Sequence, residues 1–278
     1  MAAPSAESVH RPPAPPLRPF VDGYLGYRLS GFPPGLHRGL PSRHLTFIAA
    51  IGGGIDVVAQ TDPAQPPQRY GCVVSGLHAT PALVAQGGDQ EGVAIALTPL
   101  GCRALLGRPA AELWNRSYEL ADVVGAAGTE LRERLQGAPS WAERFAVCDA
   151  VLGRLAGDAR VAPELRVAWE GVVRSGGAVA VGALAAEVGW SRQHLARRFR
   201  GEFGLGPKLA ARVVRFERAR RMLQHSPQSV PVARVAAACG YYDQAHLDRE
   251  FAALAGCAPS VLRLEDVPSV QDGAAVAP

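Results

Sequence analysis

The stretch VGALAAEVGWSRQHLARRFRGEFGLGPKLAARVVRFERARRML, residues 181–223, decides the fold of the C-terminal part of the chain. Apolar residues recur at helical spacing on both sides of a glycine: Leu184 and Val188 before it, and Leu195, Phe199 and Phe203 after it. This pattern predicts two short helices with apolar faces. Because Gly189 interrupts the period, the two helices should meet at a sharp turn, as in a helix-turn-helix motif.

The second of these helices carries polar side chains suited to a nucleic acid. Ser191 is predicted to cap it, since a serine hydroxyl can accept from backbone N–H groups that have no partner inside the helix. Several residues fall on the faces that the apolar stripe leaves free: Arg192, Gln193, Ala196, Arg197 and Arg200. Such a helix can offer Arg and Gln to base edges.

The same unit occurs a second time further along the chain. VARVAAACG at 232–240 repeats the first helix, and HLDREFAALAG at 246–256 repeats the second. The second copy has one extra residue in its turn, and Asp243 stands where a cap is needed. A basic helix over 207–223, about 25 Å long at 1.5 Å per residue, would join the copies. Periodicity alone would also allow a purely structural helical repeat, but the basic connecting helix favours nucleic acid.

Charge is unevenly distributed along the 278 residues. Residues 1–177 carry 16 Arg and 16 acidic residues, whereas residues 178–265 carry 12 Arg and one Lys against 7 acidic residues. A basic C-terminal part beside a neutral N-terminal part indicates that only the former contacts a polyanion. A solvated basic surface would give the same composition.

The remaining residue patterns argue against several other functions. The five cysteines, at 72, 102, 148, 239 and 257, show no C-x-x-C spacing, so neither a zinc site nor a disulfide framework is predicted and a reduced, cytoplasmic location is expected. No signal peptide and no apolar run of about 18 residues is present, so no membrane contact is expected. His37, His44 and His78 have no acidic residue in ligand register. We therefore predict no metal site, no cofactor and no enzymatic activity.

The N-terminal part is predicted to be a small antiparallel β unit. The proline-rich residues 1–19 are predicted to be a disordered arm, with folding beginning near Phe20. Six strands follow, separated by Gly and Pro turns: 24–29, 44–51, 55–60, 70–77, 82–86 and 92–98. These strands would offer a concave face to a ligand.

After Pro99 the apolar period becomes helical. Short helices are predicted for LGCRALLG, PAAELW and 128–136, and a longer one for 141–157, whose apolar stripe is typical of core or of a dimer contact. A further helix is predicted at about 164–174. Residues 175–177 then form a hinge into the basic part.

Residues 176–264 resemble the DNA-binding domain of the AraC-family (AraC/XylS) transcriptional regulators. The resemblance lies in residues 183–223 for the first motif and linker helix, and in VARVAAACGYYDQAHLDREFAALAGCAPSVLR for the second motif. The second stretch is similar to the family signature, which runs from a G-[FY]-x-D turn through a Phe and a Gly to a Pro-Ser and an Arg. It departs from the usual pattern at Leu247, Asp248 and Leu262, where Phe, a small polar residue and Tyr are more common.

The resemblance implies seven helices in two helix-turn-helix units, each presenting one helix to the major groove. By position it assigns base reading to Arg192, Gln193, Ala196, Arg197, Gln244, Ala245, His246 and Arg249. Arg197 and Arg249 are the strongest candidates, since Arg can bond bidentately to guanine; phosphate contact is the alternative.

Other residues of the basic part are assigned to the DNA backbone or to the core. Contacts with phosphates, or pairing within the motifs, are assigned to Arg198, Arg200, Lys208, Arg212 and Arg215. The core is predicted to contain Leu184, Ala185, Leu195, Phe199, Val235, Ala236, Leu247 and Phe251. Because Asp248 and Glu250 place negative charge near DNA, the second motif is predicted to bind more weakly than the first.

The N-terminal part is similar to an uncharacterised sensor-like domain that precedes the AraC-type module in some bacterial regulators. The fold class predicted for the chain is α+β: a mixed β/α effector-binding or dimerisation domain at 20–160, an all-α double helix-turn-helix domain at 161–265, and a flexible tail at 266–278. The expected function is promoter binding by a cytoplasmic transcription regulator. Its expected partners are double-stranded DNA, a small-molecule effector, a second copy of the chain and, for an activator, RNA polymerase.

Two alternatives belong to other functional classes. Some relatives fuse the module to a methyl-accepting domain for DNA-alkylation repair, but Cys72, Cys102 and Cys148 are isolated in sequence. An adaptor that binds a partner without contacting DNA is favoured only by Asp248 and Glu250.

Overall fold

The computed structural model describes residues 4–227 and 229–264, and these residues form an α+β structure as predicted. The described strands are β1 (Ser5–Arg11), β2 (Val21–Ser30), β3 (Gly35–Gly39), β4 (Thr46–Gly52), β5 (Ile55–Ala59), β6 (Gln68–Tyr70), β7 (Cys72–Ser75), β8 (Ala82–Gln86), β9 (Gln90–Leu97) and β10 (Ser117–Glu119). The described α-helices are α1 (Cys102–Leu106), α2 (Leu120–Val124), α3 (Ala126–Gly137), α4 (Trp141–Leu155), α5 (Pro163–Arg174), α6 (Val181–Glu187), α7 (Arg192–Phe203), α8 (Pro207–His225), α9 (Val232–Ala238), α10 (Gln244–Ala255) and α11 (Pro259–Arg263).

Two antiparallel sheets build the N-terminal part. One has six strands in the order β1-β2-β9-β4-β7-β10, and the other has four in the order β3-β8-β5-β6. Side chains of β9 alternate between the two faces of the larger sheet: Val93 and Ile95 belong to the core shared with the helices, whereas Ala94 belongs to the core shared with the smaller sheet. The N-terminal part therefore has three layers, with the six-stranded sheet in the middle.

Helix α4 covers the outer face of the larger sheet. The predicted apolar stripe is core: Phe145, Cys148 and Leu152 are buried, and the ring of Tyr24 on β2 stacks on Phe145 with centroids 5.9 Å apart. This packing buries the stripe inside the N-terminal part, so the stripe is not a free surface for a dimer contact.

The prediction of a disordered N-terminal arm is wrong for its described residues. Residues 5–11 form β1, which pairs along the edge of β2 from Ser5↔Ser30 to Arg11↔Tyr24. The physical reason is the placement of the prolines, which lie at 4, 12, 13, 15, 16 and 19 and so leave SAESVHR free to donate ladder hydrogen bonds. Leu17 is then buried in the core beyond the strand.

The strand and helix predictions hold for most elements and are wrong in some details. β3 and β10 were not predicted, because each is short and lacks a clear alternation. The single strand predicted at 70–77 is instead divided at Gly71 into β6 and β7, which belong to different sheets. The predicted PAAELW helix is a 3-10 turn, Ala110–Leu113.

Seven helices, α5 to α11, make up the described C-terminal part, as the family resemblance implies. All eight predicted core residues of the two motifs are buried. The apolar core of the first motif is continuous with that of the N-terminal part, whereas the second motif belongs to a separate cluster around Phe216 and Phe251, which Leu40 of the N-terminal part also joins. The domain division at 160/161 stays a prediction, and the predicted tail at 266–278 lies outside the described residues.

Candidate nucleic-acid interface

The two helix-turn-helix motifs have nearly the same backbone. Their first helices, α6 and α9, are each seven residues long, and their second helices, α7 and α10, are each twelve. Both second helices end at a glycine in the left-handed conformation, Gly204 with φ 85° and Gly256 with φ 68°. The repeat found in the sequence is therefore a structural repeat as well.

Each second helix begins at the predicted cap. The Ser191 hydroxyl accepts from the His194 N–H at 3.2 Å, and the Asp243 carboxylate accepts from the His246 N–H at 2.7 Å. The ring of each of these histidines lies edge-on to the aromatic residue of the preceding turn, Trp190 or Tyr241. Caps and rings together fix the orientation of each turn on its helix.

The residues assigned to base reading lie in the first half of α7 and α10. In the first motif Arg192, Gln193 and Arg197 are exposed, and Ala196 is half-buried. One amino group of Arg197 lies 3.3 Å from His194 Nδ1. This contact engages one of the five N–H donors that a guanidinium carries.

The corresponding residues of the second motif are similarly placed. Gln244, Ala245 and Arg249 are exposed, whereas His246 is half-buried. The Nδ1 atom of His246 receives the backbone N–H of Tyr242 at 3.4 Å. This leaves only the other ring nitrogen of His246 for a base.

The five residues assigned to phosphates divide into two groups. Arg198, Arg200 and Lys208 are exposed. Arg212 instead donates through Nε to both carboxylate oxygens of Glu250 at 3.0 Å, and Arg215 donates to the carbonyl of Gly177 at 2.7 Å. These bonds fit the alternative of pairing within the motifs, and the phosphate assignment of Arg212 and Arg215 stays a prediction.

The same ion pair involves Glu250, which was expected to weaken DNA binding by the second motif. Its side chain is only 14% exposed and is neutralised by Arg212 on the linker helix α8. The negative charge of Glu250 is therefore balanced within the helical part. Asp248, which is half-buried, is the remaining acidic residue of the two that the sequence pointed to.

The N-terminal part contacts the end of the first recognition helix. Arg103 on α1 binds the carboxylate of Glu202 through two parallel bonds, Nε to Oε1 at 2.7 Å and Nη2 to Oε2 at 2.9 Å. Beside this pair, a Cβ built on Gly204 would lie 2.5 Å from Cβ of Trp114, so only glycine fits there. The C-terminal end of α7 thus contacts the N-terminal part, whereas Arg192 and Gln193 at its N-terminal end are exposed.

A second contact joins the N-terminal part to the middle of α8. Glu217 is 2% exposed, and its carboxylate accepts the backbone N–H of Arg43 at 3.0 Å and an amino group of Arg221 at 2.6 Å. Burial alone would raise the pKa of Glu217, but nearby positive charges, those of Arg221 and Arg43 among them, lower it below its usual range. The side chain of His44, next to Arg43, lies 2.7 Å from Asp22 Oδ2.

The concave face predicted for the β unit exists as a cavity of about 70 Å³ between the two sheets. Its lining combines apolar residues such as Ile48 and Val84 with polar ones that include His37, His78 and Glu91. Burial lowers the pKa of His37, and it lowers the pKa of His78 to about 4, partly opposed by a hydrogen bond to the Thr80 carbonyl. Both imidazoles are therefore neutral at pH 7 and can act as hydrogen-bonding groups.

Four of the five cysteines are buried, and Cys257 is half-buried. Burial raises the pKa of Cys102 to about 12 and also raises the pKa values of Cys72 and Cys148. Since the thiolate is the nucleophile, these residues are poorly suited to accept a methyl group at neutral pH.

In residues 4–227 and 229–264 no group of three or more His, Cys, Asp or Glu side chains is arranged to hold a metal ion. No helix of the same residues has the length and apolar character needed to span a bilayer.

Sequence reasoning missed the residues that join the two parts of the molecule. Arg103 lies 99 positions before its partner Glu202, and Arg43 lies 174 positions before its partner Glu217. Local periodicity does not report pairs so far apart in the sequence. One available signal was Glu202 itself, a charged residue directly beside Phe203 on the apolar stripe. A charge in that position requires a partner from another element.

Comparisons with known proteins agree with this geometry. Residues 184–265 match a family model described as a helix-turn-helix domain. Over 81 residues the chain is 40% identical to the HTH-type transcriptional regulator GlxA of Rhizobium meliloti (strain 1021), which is 29% of this chain and 24% of that regulator. The chain therefore matches only about a quarter of this relative's length.

One solved structure extends the likeness to nearly the whole chain. A substituted apo form of ToxT from Vibrio cholerae strain SCE256 superposes with a TM-score of 0.52 at 11% identity, covering 86% of this chain and 96% of that one. The shared feature is the fold, a sheet-rich N-terminal part followed by a helical part. The protein is thus a two-part helix-turn-helix protein. Its C-terminal part contains a helix-turn-helix domain, matched over residues 184–265.

Proposed function

We propose that this protein is a sequence-specific DNA-binding transcription regulator of the AraC type. The observation that carries the proposal is the doubled, capped helix-turn-helix, whose exposed Arg and Gln side chains lie at the N-terminal halves of α7 and α10. Those halves are the parts of recognition helices that reach base edges in the major groove.

The linker helix sets the separation of the two recognition helices. α8 has 19 residues and is about 28 Å long at 1.5 Å per residue. It packs against both motifs, which supports a rigid arrangement in which α7 and α10 address major-groove segments about one turn, ~34 Å, apart on one duplex.

The N-terminal part is proposed to regulate this arrangement. The Arg103–Glu202 and Arg43–Glu217 contacts connect it to α7 and to α8, so a change in its internal packing reaches both the first reader and the spacer. The effector is proposed to be a small amphipathic molecule bound in the cavity between the sheets, where neutral His37 and His78 supply hydrogen bonds. A Val84→Trp variant, which fills this cavity, should retain DNA binding but lose its response to any compound that shifts the wild-type operator affinity.

The experiment that tests the proposal is selection of bound duplexes from a random pool with the full chain. The affinity for the selected sequence is then measured across salt concentrations. We expect a defined motif whose symmetry reports half-sites and oligomeric state, and a log–log salt slope of several units from the released counterions. Arg69→Ala, which removes an exposed arginine from β6, serves as the matched control for arginine substitutions in the motifs. Equal binding to all duplexes, or a salt slope of zero, would contradict the proposal.

The structure weakens the support for both alternative functions. A methyl acceptor needs an accessible thiolate, and Cys72, Cys102 and Cys148 are buried with raised pKa values. The adaptor depended on Asp248 and Glu250, and Glu250 is paired with Arg212.

A further inference from the structure

We propose that Tyr242 is an additional DNA contact of the second motif, with its hydroxyl donating to a backbone phosphate beside the bases that α10 reads. The inference rests on the proposed function, since it concerns the same surface. Three independent observations carry it: the sequence register of the repeat, the exposure of the side chain, and the hydrogen bonds that hold its backbone.

The register identifies Tyr242 as the residue that distinguishes the two turns. GWSRQHL of the first motif aligns with GYYDQAHL of the second, in which the caps Ser191 and Asp243 and the edge-on aromatic residues Trp190 and Tyr241 correspond. Tyr242 is the residue inserted between that aromatic position and the cap. It has no counterpart in the first motif.

The two adjacent tyrosines have opposite environments. Tyr241 is 5% exposed and belongs to the apolar cluster of the second motif, whereas Tyr242 is 94% exposed. Packing within the described chain therefore explains Tyr241 but gives no reason for an aromatic side chain at 242. A tyrosine presents both an apolar ring and a hydroxyl, and tyrosine is among the side chains that contact DNA phosphates.

The backbone of Tyr242 is fixed to the recognition helix. Its N–H donates to Nδ1 of His246, and the following residue, Asp243, accepts from the N–H of the same histidine. Tyr242 thus lies two residues before Gln244, the first residue of α10, on a turn that is held by two hydrogen bonds. A residue at this position lies beside the groove when the N-terminal end of the helix enters it.

The chemistry of the second motif fits such a contact. α7 carries Arg192, Arg197, Arg198 and Arg200, whereas the only arginine of α10 is Arg249, next to Asp248. A neutral hydroxyl donor adds affinity to this less basic motif without adding charge. Its contribution should therefore be independent of salt, unlike that of an arginine.

The test compares Tyr242→Ala, Tyr242→Phe and wild type in the full chain on the selected operator. Tyr242→Ala should weaken binding about tenfold, since a hydrogen bond to a charged acceptor is lost, and Tyr242→Phe should lose most of the same amount. The salt slope should stay that of the wild type, whereas Arg200→Ala, which removes an exposed candidate phosphate contact, should lower it by about 0.9. Leu36→Ala, which trims an apolar side chain that is 58% exposed on β3, is the control and should bind normally.

The outcomes separate this inference from the proposed function. Wild-type protein that selects no sequence refutes the regulator itself. Wild-type binding that Tyr242→Ala leaves unchanged refutes the contact alone. Tyr242→Phe with full affinity beside a weakened Tyr242→Ala refutes the phosphate bond. Because the side chain is exposed, thermal unfolding of the variants should match the wild type, and a lowered midpoint would also overturn the inference by showing a structural role.

Discussion

The first and second helix-turn-helix motifs share a backbone but are anchored to different parts of the molecule. Glu202 in the first motif is bound by Arg103 of the N-terminal part, and the corresponding position in the second motif is the buried Leu254. Glu250 in the second motif is bound by Arg212 of the linker helix, and its counterpart in the first is the exposed Arg198. The repeat has kept the core residues alike while the anchoring residues have diverged.

This difference separates two tasks. The first motif combines the larger positive charge with a direct connection to the N-terminal part, so it is positioned to bind DNA strongly and to respond to regulation. The second motif has its Glu250 paired within the helical domain and contacts the N-terminal part through apolar packing on Leu40, and its exposed surface is less basic. The predictions below test this division of tasks, beginning with the largest effect.

The largest difference is expected between the two candidate guanine readers. Arg197→Ala should cost about 2 to 3 kcal/mol of specific binding, and Arg249→Ala about 1 kcal/mol, within the range for bidentate base contacts. The double variant should lose specific binding altogether. Operator affinity at fixed salt measures this, with Arg69→Ala as the control. A larger loss from Arg249→Ala than from Arg197→Ala would contradict the asymmetry.

A smaller difference is expected at the glycines that end the two recognition helices. A side chain in the left-handed conformation costs about 1 kcal/mol at either position. At Gly204 the added Cβ would also collide with Trp114 at 2.5 Å, whereas at Gly256 the nearest atom, Cγ of Pro81, is 3.5 Å away. Gly204→Ala should therefore lower the free energy of unfolding by about 2 to 4 kcal/mol and Gly256→Ala by about 1 kcal/mol. Urea unfolding measures both free energies. Equal losses of stability in the two variants would show that Trp114 does not restrict the space at Gly204.

The smallest effect is expected at the caps. Ser191→Ala and Asp243→Ala should each lower the free energy of unfolding by about 1 kcal/mol, because each leaves a backbone N–H of the first helical turn without its acceptor. Asparagine at either position can still accept that bond and should restore most of the stability. If the asparagine variants are as unstable as the alanine variants, the cap bond is not the source of the effect.

The sequence predicted most of the C-terminal part because its information is local. The caps, the two recognition helices and the eight core positions follow from the 3.6-residue period and from turn chemistry within a few residues, and they were predicted correctly. The N-terminal strands were predicted less completely, since β3 and β10 are short and β1 was hidden among prolines. Pairing with a distant strand, rather than intrinsic preference, makes these segments strands.

The sequence by itself therefore determined the repeated motif, its register and the type of residue that each recognition helix presents. Only the tertiary structure decided which charges are free. Arg212 and Arg215 have the residue type of a DNA contact, but each is bonded to a partner 38 positions away in the sequence, Glu250 and Gly177. Glu202 and Glu217 are bound by residues of the N-terminal part. The reason is physical: a charge is neutralised by whatever the fold brings within hydrogen-bond distance, and that neighbour has no fixed spacing in the sequence.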